Sequence, residues 1–275
     1  VKKLKLKKAI VTSLALAAVS RASAYAALTV SNLAPRQGQT IEVTLSNEES
    51  TPSSVHFHGR SAKLFNDNDT YRCLVAIPAD LNPGTYKLSC GSESLQLDIK
   101  SANFPVQRLH LPPSKNNFLE SPGEREAIEN AKETLTPVRF WSTNFVPPSN
   151  ARVSSVFGIR RIVNGKLLSD YFHSGVDYAA FLGSPVKATA PGVVILARTG
   201  FKLHGNVVAI DHGQGVVSIY IHMQKVLVHA GEHVEAGQII GKVGQTGRAN
   251  GPHLHFSLYV NDIATNPVAW YHQVF

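Results

Sequence analysis

Cysteine is nearly absent: Cys73 and Cys90 are the only two in 275 residues. Neither their spacing nor their company makes a thiolate metal site. Long apolar runs are missing as well. The stretch 9–19 falls well short of the ~20 residues that a spanning helix needs, and Arg21 follows it closely, so no retained membrane span is expected. Acidic residues are outnumbered, with 19 Asp+Glu against 27 Lys+Arg, but much of that imbalance sits at one end of the chain. No tandem repeat or low-complexity tract interrupts the C-terminal half.

The first 26 residues carry the charge, core and cleavage pattern of a secretory signal peptide. Five lysines fall within residues 1–8, the apolar run follows, and Ala22-Ser23-Ala24 and Ala24-Tyr25-Ala26 both offer small-x-small cleavage sites. No cysteine lies near them, which argues against a lipid anchor. Export would place the protein in the periplasm or cell envelope, with secretion as the alternative. Removal of the segment takes Lys2, Lys3, Lys5, Lys7, Lys8 and Arg21 with it. The remaining 21 Lys+Arg against 19 Asp+Glu give a balance of +2, which provides no support for a nucleic-acid partner.

The remaining chain, about 250 residues, suffices for two modest domains. Residues 27–100 read as an all-β module: 40–45 alternates, 54–57 and 71–77 follow, and 85–88 and 95–99 close it, with turn residues between. Short strands at this spacing predict a small immunoglobulin-like sandwich. Cys73 and Cys90 flank an expected hairpin, 71–77 and 86–90, turned by Asp80-Leu81-Asn82-Pro83-Gly84. An oxidising compartment permits a disulfide between them, provided the register sets both on one face; the sequence leaves that pairing open.

Residues 101–150 are proline-rich and read as a linker too long for a bare turn, expected to pack over one or both domains. Ser121-Pro122-Gly123-Glu124 matches a capping box with Pro122 at the first helical position and predicts a helix from about 122 to 135, ending before Pro137. Its residues Glu124, Arg125, Glu126, Glu129, Asn130, Lys132 and Glu133 are mostly polar and read as a solvated face. Residues 151–275 are dense in short strands and glycines, at 193–197, 206–210, 216–221, 226–228, 238–243 and 255–260. Asp211-His212-Gly213-Gln214-Gly215 is a hairpin turn between two of them. An antiparallel β domain is expected.

Within it, Gly251-Pro252-His253-Leu254-His255-Phe256 reads as a strand entered from a Gly-Pro turn. Alternation puts His253 and His255 on one face with Cα atoms roughly 7 Å apart. The spacing alone is a weak signal, because His56-Phe57-His58 repeats it in the first module. Phe172-His173-Ser174-Gly175-Val176-Asp177 adds an imidazole and a carboxylate. In a straight strand these would lie roughly 13 Å apart, so the backbone must bend between them, and Gly175 permits it. His173, Asp177 and His255 together form an N/N/O set that suits Zn2+ and leaves a fourth tetrahedral position open, the catalytic pattern. Zinc lowers the pKa of water from near 16 to about 7. His253 and His222, the latter at the end of another expected strand, are candidates for proton transfer and oxyanion stabilisation.

Several short motifs occur in order: Val153-Ser154-Ser155-Val156-Phe157-Gly158-Ile159-Arg160, His173-Ser174-Gly175-Val176-Asp177, Gly205 through Gly213, Tyr220-Ile221-His222-Met223, and Gly244-Gln245-Thr246-Gly247 leading into 251–256. Over about residues 150–270 the chain resembles the lysostaphin/LytM family of zinc endopeptidases. The resemblance implies a LytM-type peptidase domain, His173, Asp177 and His255 as zinc ligands, and His222 and His253 as the histidines that assist catalysis. It also implies a groove for an extended peptide, with peptidoglycan stem peptides and cross-links as substrate. Met223 and Ser257 depart from the family's usual leucine and acidic residue, and are expected to affect specificity. Gly59-Arg60 and residues 81–86 resemble, more faintly, the small β domain found ahead of some exported members.

The expected function is therefore an exported zinc metalloendopeptidase acting on peptidoglycan cross-links. A non-catalytic cell-wall-binding activator of another hydrolase is the alternative, although degenerate members of that kind usually lack ligands that are present here. A third possibility is latency, with the linker lying in the groove or lending a fourth ligand from Asn144, Asn150 or His110.

Overall fold

The computed structural model describes residues 27–46, 53–68, 70–110 and 119–275; the expected signal peptide, 1–26, lies outside the described residues. The first eight strands are β1 (Ala27–Val30), β2 (Thr40–Ser46), β3 (Ser54–Phe57), β4 (Arg60–Lys63), β5 (Phe65–Asp67), β6 (Thr70–Ala76), β7 (Gly84–Cys90) and β8 (Glu93–Ile99), with clear in–out alternation in β2 and β3. They form two four-stranded sheets, ordered β1-β2-β6-β5 and β4-β3-β7-β8. The inward residues of the two sheets, among them Ile41, Val43, Val55, Leu88 and Leu97, share one core.

This topology corrects the expected hairpin around the cysteines. β6 pairs with β2 and β5, whereas β7 pairs with β3 and β8. Residues 77–83 cross between the sheets, with Leu81 buried in the sandwich and Ile77 N–H donating to Gln39 O at 2.8 Å. Cys73 lies opposite Val43 and Cys90 opposite Glu93, and both thiols are buried in the common core. Burial, with Cys90 nearby, pushes the Cys73 thiol up to about 12. The two cysteines are thus brought into one core by facing sheets and not by a turn.

The linker is woven into the last domain. Its strand β9 (Val106–Leu109) runs parallel to residues 160–163, and helix α1 comprises Glu124–Lys132. This helix is shorter than the expected span because Gly123, left-handed at φ 74°, is its N-cap. The domain itself contains β10 (Val153–Ser155), β11 (Arg160–Val163), β12 (Lys166–Phe172), β13 (Val176–Tyr178), β14 (Pro185–Lys187), β15 (Gly192–Arg198), β16 (Asn206–Gly213), β17 (Val216–Val226), β18 (His233–Val234), β19 (Ile239–Val243), β20 (Leu254–Val260) and β21 (Ile263–Thr265). The main sheet runs β10-β13-β20-β17-β16-β15-β18, with β19 between β14 and β17 and β21 beside β20; β12-β11-β9 form a separate small sheet. Gln214 and Gly215, both at positive φ (52° and 78°), turn the β16–β17 hairpin. Residues 226–228, expected as a separate strand, are the end of β17 and the coil after it.

Sandwich and last domain meet across a packed seam. Leu74 and Ala76 of β6 join Trp141 and Phe145 of the linker and Leu258 and Trp270 in one buried cluster. Polar ties flank it: Asn261 Nδ2 donates to Leu74 O at 2.8 Å, Asn266 N–H to Gly38 O at 2.7 Å, and the hydroxyls of Thr40 and Thr265 meet at 2.8 Å. Among the described residues no helix is long and apolar enough to cross a membrane.

Candidate metal centre and its groove

Strands β13 and β20 pair with Asp177 directly opposite His255. The chain leaves β12 at Phe172 and enters β13 at Val176, so the expected bend falls between His173 and Asp177. Gly175 serves a different purpose from the one expected. Its φ is not left-handed; instead, a Cβ there would lie 2.2 Å from Phe256 O and 2.6 Å from Ser257 Oγ. Glycine is needed because two backbones approach too closely for a side chain.

Three donors converge. His173 Nε2 lies 3.1 Å from Asp177 Oδ1 and 3.1 Å from His255 Nδ1, and the latter two atoms are 2.8 Å apart. Ligands 2.0–2.1 Å from one tetrahedral zinc would stand about 3.3 Å from each other, so these donors need only open slightly to hold the ion. The outer nitrogens are already engaged. His173 Nδ1 donates to Val156 O at 2.8 Å, and His255 Nε2 contacts Ser257 Oγ at 2.8 Å. Such partners fix the tautomer that leaves the inner nitrogen as the ligand. Burial would raise the Asp177 carboxyl, but hydrogen bonds from His173 and His255 hold it far below the usual range. Burial lowers His255. Two imidazoles and one carboxylate arranged in this way fit Zn2+.

His222 and His253 stand beside it. Their rings are 4.9 Å apart, with His222 6.4 Å from His255. His222 Nδ1 contacts Thr246 O at 2.9 Å and His253 Nδ1 contacts Gly251 O at 2.8 Å; each Nδ1 is therefore the donor, and each Nε2 is left as an acceptor. His253 Nε2 lies 4.0 Å from Asp177 Oδ1. Burial, with His255 and His253 close by, lowers His222 to about 3. The expectation that His222 ends its strand is corrected: β17 continues to Val226. His222 instead sits where β17 changes partner, paired with β20 as far as Ile221 and with β19 from Met223. Its φ is +63°, a left-handed backbone that costs a non-glycine residue of order 1–3 kcal/mol.

All five residues line one cavity of about 510 Å³. Its walls also include Gln107 and Leu109 of β9, Lys132 of α1, Arg161 of β11, Tyr171 of β12, and Arg248. Arg161 is held by Gln107 Oε1 at 3.2 Å and lies 5.1 Å over the Tyr171 ring. Among the described residues Asp177 is the only carboxylate in the lining. The donors considered for latency are elsewhere: Asn144 donates to Tyr271 O, Asn150 accepts from Lys187, His110 is exposed, and none lines the cavity. Two participants escaped the sequence reading. Ser257 contacts a ligand imidazole directly, a role its position two residues after His255 could have suggested. Glu124, read as part of a solvated face, is fully buried.

Residues 171–267 match peptidase family M23. The chain is 43% identical over 118 residues to the peptidoglycan DD-endopeptidase ShyC of Vibrio cholerae, a stretch that is 42% of this chain and 26% of that one. It is 41% identical over 127 residues to the DD-carboxypeptidase/endopeptidase Mpg of Neisseria meningitidis serogroup B, 46% of this chain and 28% of that one. The chain thus spans little more than a quarter of the length of these curated relatives. A solved structure from Pseudomonas aeruginosa, described as a peptidase M23, superposes with a TM-score of 0.66 at 28% identity, covering 86% of this chain and 95% of the other.

Proposed function

We propose that the chain, whose residues 171–267 match peptidase family M23, is an exported zinc metalloendopeptidase that hydrolyses the peptide cross-links of bacterial peptidoglycan. The observation that carries the reading is the convergence of His173 Nε2, Asp177 Oδ1 and His255 Nδ1 within 3.1 Å of one another, open to a groove where two more imidazoles present acceptor nitrogens. When bound, zinc supplies a Lewis acid and lowers the pKa of water into the neutral range. His173, Asp177 and His255 would hold it. His253, fixed through Nδ1, takes a proton at Nε2 from the attacking water and returns it to the leaving amine. His222, kept neutral with its Nδ1–H on Thr246 O, presents Nε2 as a second acceptor that orients and polarises the attacking water. The cations Lys132, Arg161 and Arg248 suit stem peptides, whose free termini and acidic side chains carry carboxylates. The peptidoglycan named for the Vibrio cholerae relative ShyC supports the same substrate, and with a cell-wall substrate the work would lie outside the cytoplasmic membrane.

The strand orders support an immunoglobulin-like reading of the sandwich. In chain order they correspond to A-B-E-D facing C′-C-F-G. Tyr86, near the start of the F-equivalent strand β7, donates its hydroxyl to Asn82 O at 2.9 Å, the corner that such domains make. The domain is read as a positioning or binding module.

Digestion of purified peptidoglycan by the zinc-loaded protein, with and without a chelator, tests the reading. Mass spectrometry should find new amino termini at cross-links that vanish on chelation. Intact cross-links after treatment with zinc-loaded protein would refute it.

A further inference from the structure

Glu124 opens helix α1 with none of its surface exposed. A buried carboxylate is costly unless it is paired and hydrogen-bonded, and this one accepts five hydrogen bonds. Oε1 accepts from Leu203 N–H at 3.0 Å, His204 N–H at 2.8 Å and His204 Nδ1–H at 2.8 Å. Oε2 accepts from Ser121 N–H at 2.6 Å and Lys202 N–H at 3.0 Å. Ser121 Oγ shares the Lys202 N–H at 3.0 Å. Burial alone would raise this carboxyl, but the bonds from Ser121 and His204 hold it at about 2. A helix cap needs only the Ser121 contact. The other four donors belong to a segment nearly eighty residues further on.

That segment has a second side. His204 O accepts the backbone N–H of His222 at 3.0 Å. Leu203 O accepts from Arg248 N–H at 3.0 Å. Asn206 N–H donates to Thr246 Oγ1 at 2.9 Å, and Gly205 lies so close to Thr246 that a Cβ would stand 2.4 Å from that hydroxyl. Thr246 O is the acceptor for His222 Nδ1–H. The loop is therefore wedged between the linker carboxylate on one side and both anchors of His222 on the other: one for its left-handed backbone, one for its imidazole tautomer.

We infer that Glu124 is a positioning residue for His222, acting through Lys202, Leu203 and His204, so that the segment ahead of the peptidase domain sets the geometry of one of its two acceptor imidazoles. The kinetic side of this inference rests on the hydrolase reading; the structural side does not. Loss of the carboxylate frees the loop, the strained backbone at His222 relaxes, and its ring no longer keeps one tautomer facing the groove.

The test is Glu124→Gln in the full zinc-loaded chain, read in two ways. For peptide hydrolysis, kcat should fall between about 10- and 100-fold with KM within about twofold and zinc content unchanged, the split expected of a misplaced catalytic group. In long-range 1H–15N spectra of the imidazoles, His222 should pass from a single Nδ1–H tautomer to an averaged signal. A folded variant with wild-type kcat, or with lowered kcat and an unchanged His222 signal, overturns the inference. If the wild-type chain cleaves nothing, the hydrolase reading falls and the imidazole signal alone decides. Should Glu124→Gln fail to fold, Ser121→Ala removes only the hydroxyl acceptor of Lys202; it should shift the same signal and is judged by the same criteria.

Discussion

The chain contains His-x-His twice, and the two copies end differently. His56 lies on an exposed face of β3, opposite Ser61 and Ser89, with its Nδ1 2.9 Å from the Ser61 hydroxyl. His58 leaves the strand in a left-handed turn at φ 46° and stands edge-on to Tyr86, ring centres 5.4 Å apart. His255, in contrast, lies opposite Asp177 on one side and Ile221 on the other, while His253 bridges to Gly244. Spacing is a property of one strand; the donor cluster belongs to three segments. What makes His255 in the second copy a candidate ligand is the carboxylate that register brings across from it.

The largest effect that sharpens the contrast is His255→Ala, which should abolish zinc retention and lower hydrolysis by about 1,000-fold or more, whereas His56→Ala should leave both unchanged. Comparable losses from the two, measured by metal content and rate, would break the comparison. Ser257→Ala removes the partner of His255 Nε2 and should weaken zinc binding by about 10- to 100-fold in a chelator competition; the loss of Ser61, the partner of His56, should not. Two glycines extend the contrast to the backbone. Gly175→Ala would press a methyl against Phe256 O, 2.2 Å away, and should cost about 1–3 kcal/mol in denaturant unfolding. Gly59→Ala, beside His58, meets nothing within 4 Å but sits at φ +73°, so its cost should be about 1 kcal/mol. Smallest of all, His56→Ala should change stability by no more than about 0.5 kcal/mol.

Much of this was legible in advance where the signal is local. Local pattern locates most sandwich strands, and the ordered motifs single out His173, Asp177, His222, His253 and His255, which line one cavity. Non-local pairing left no such trace. β9 and β11 pair in parallel across some fifty residues, and neither carries a turn signal toward the other. The strands bearing Cys73 and Cys90 look like a hairpin because the seven residues between them end in Pro83, followed by Gly84, yet those seven residues pass from one sheet to the other. Glu124 looked solvated because its partners are backbone N–H groups of a distant loop, and amide donors have no residue identity to read. Ser257 was visible as a departure from the family pattern, but its contact with His255 Nε2 emerged only when β20 placed the two side chains together.

The seam of Leu74, Trp141, Phe145, Leu258 and Trp270 governs how the molecule meets anything larger than itself. Domains joined by small polar contacts swing on their linkers; an aromatic core threaded by the linker leaves no such hinge. The long axis of the groove therefore keeps one bearing relative to the sandwich. A ligand held by both the sandwich and the groove would be kept at one set angle, as a workpiece is held in a jig.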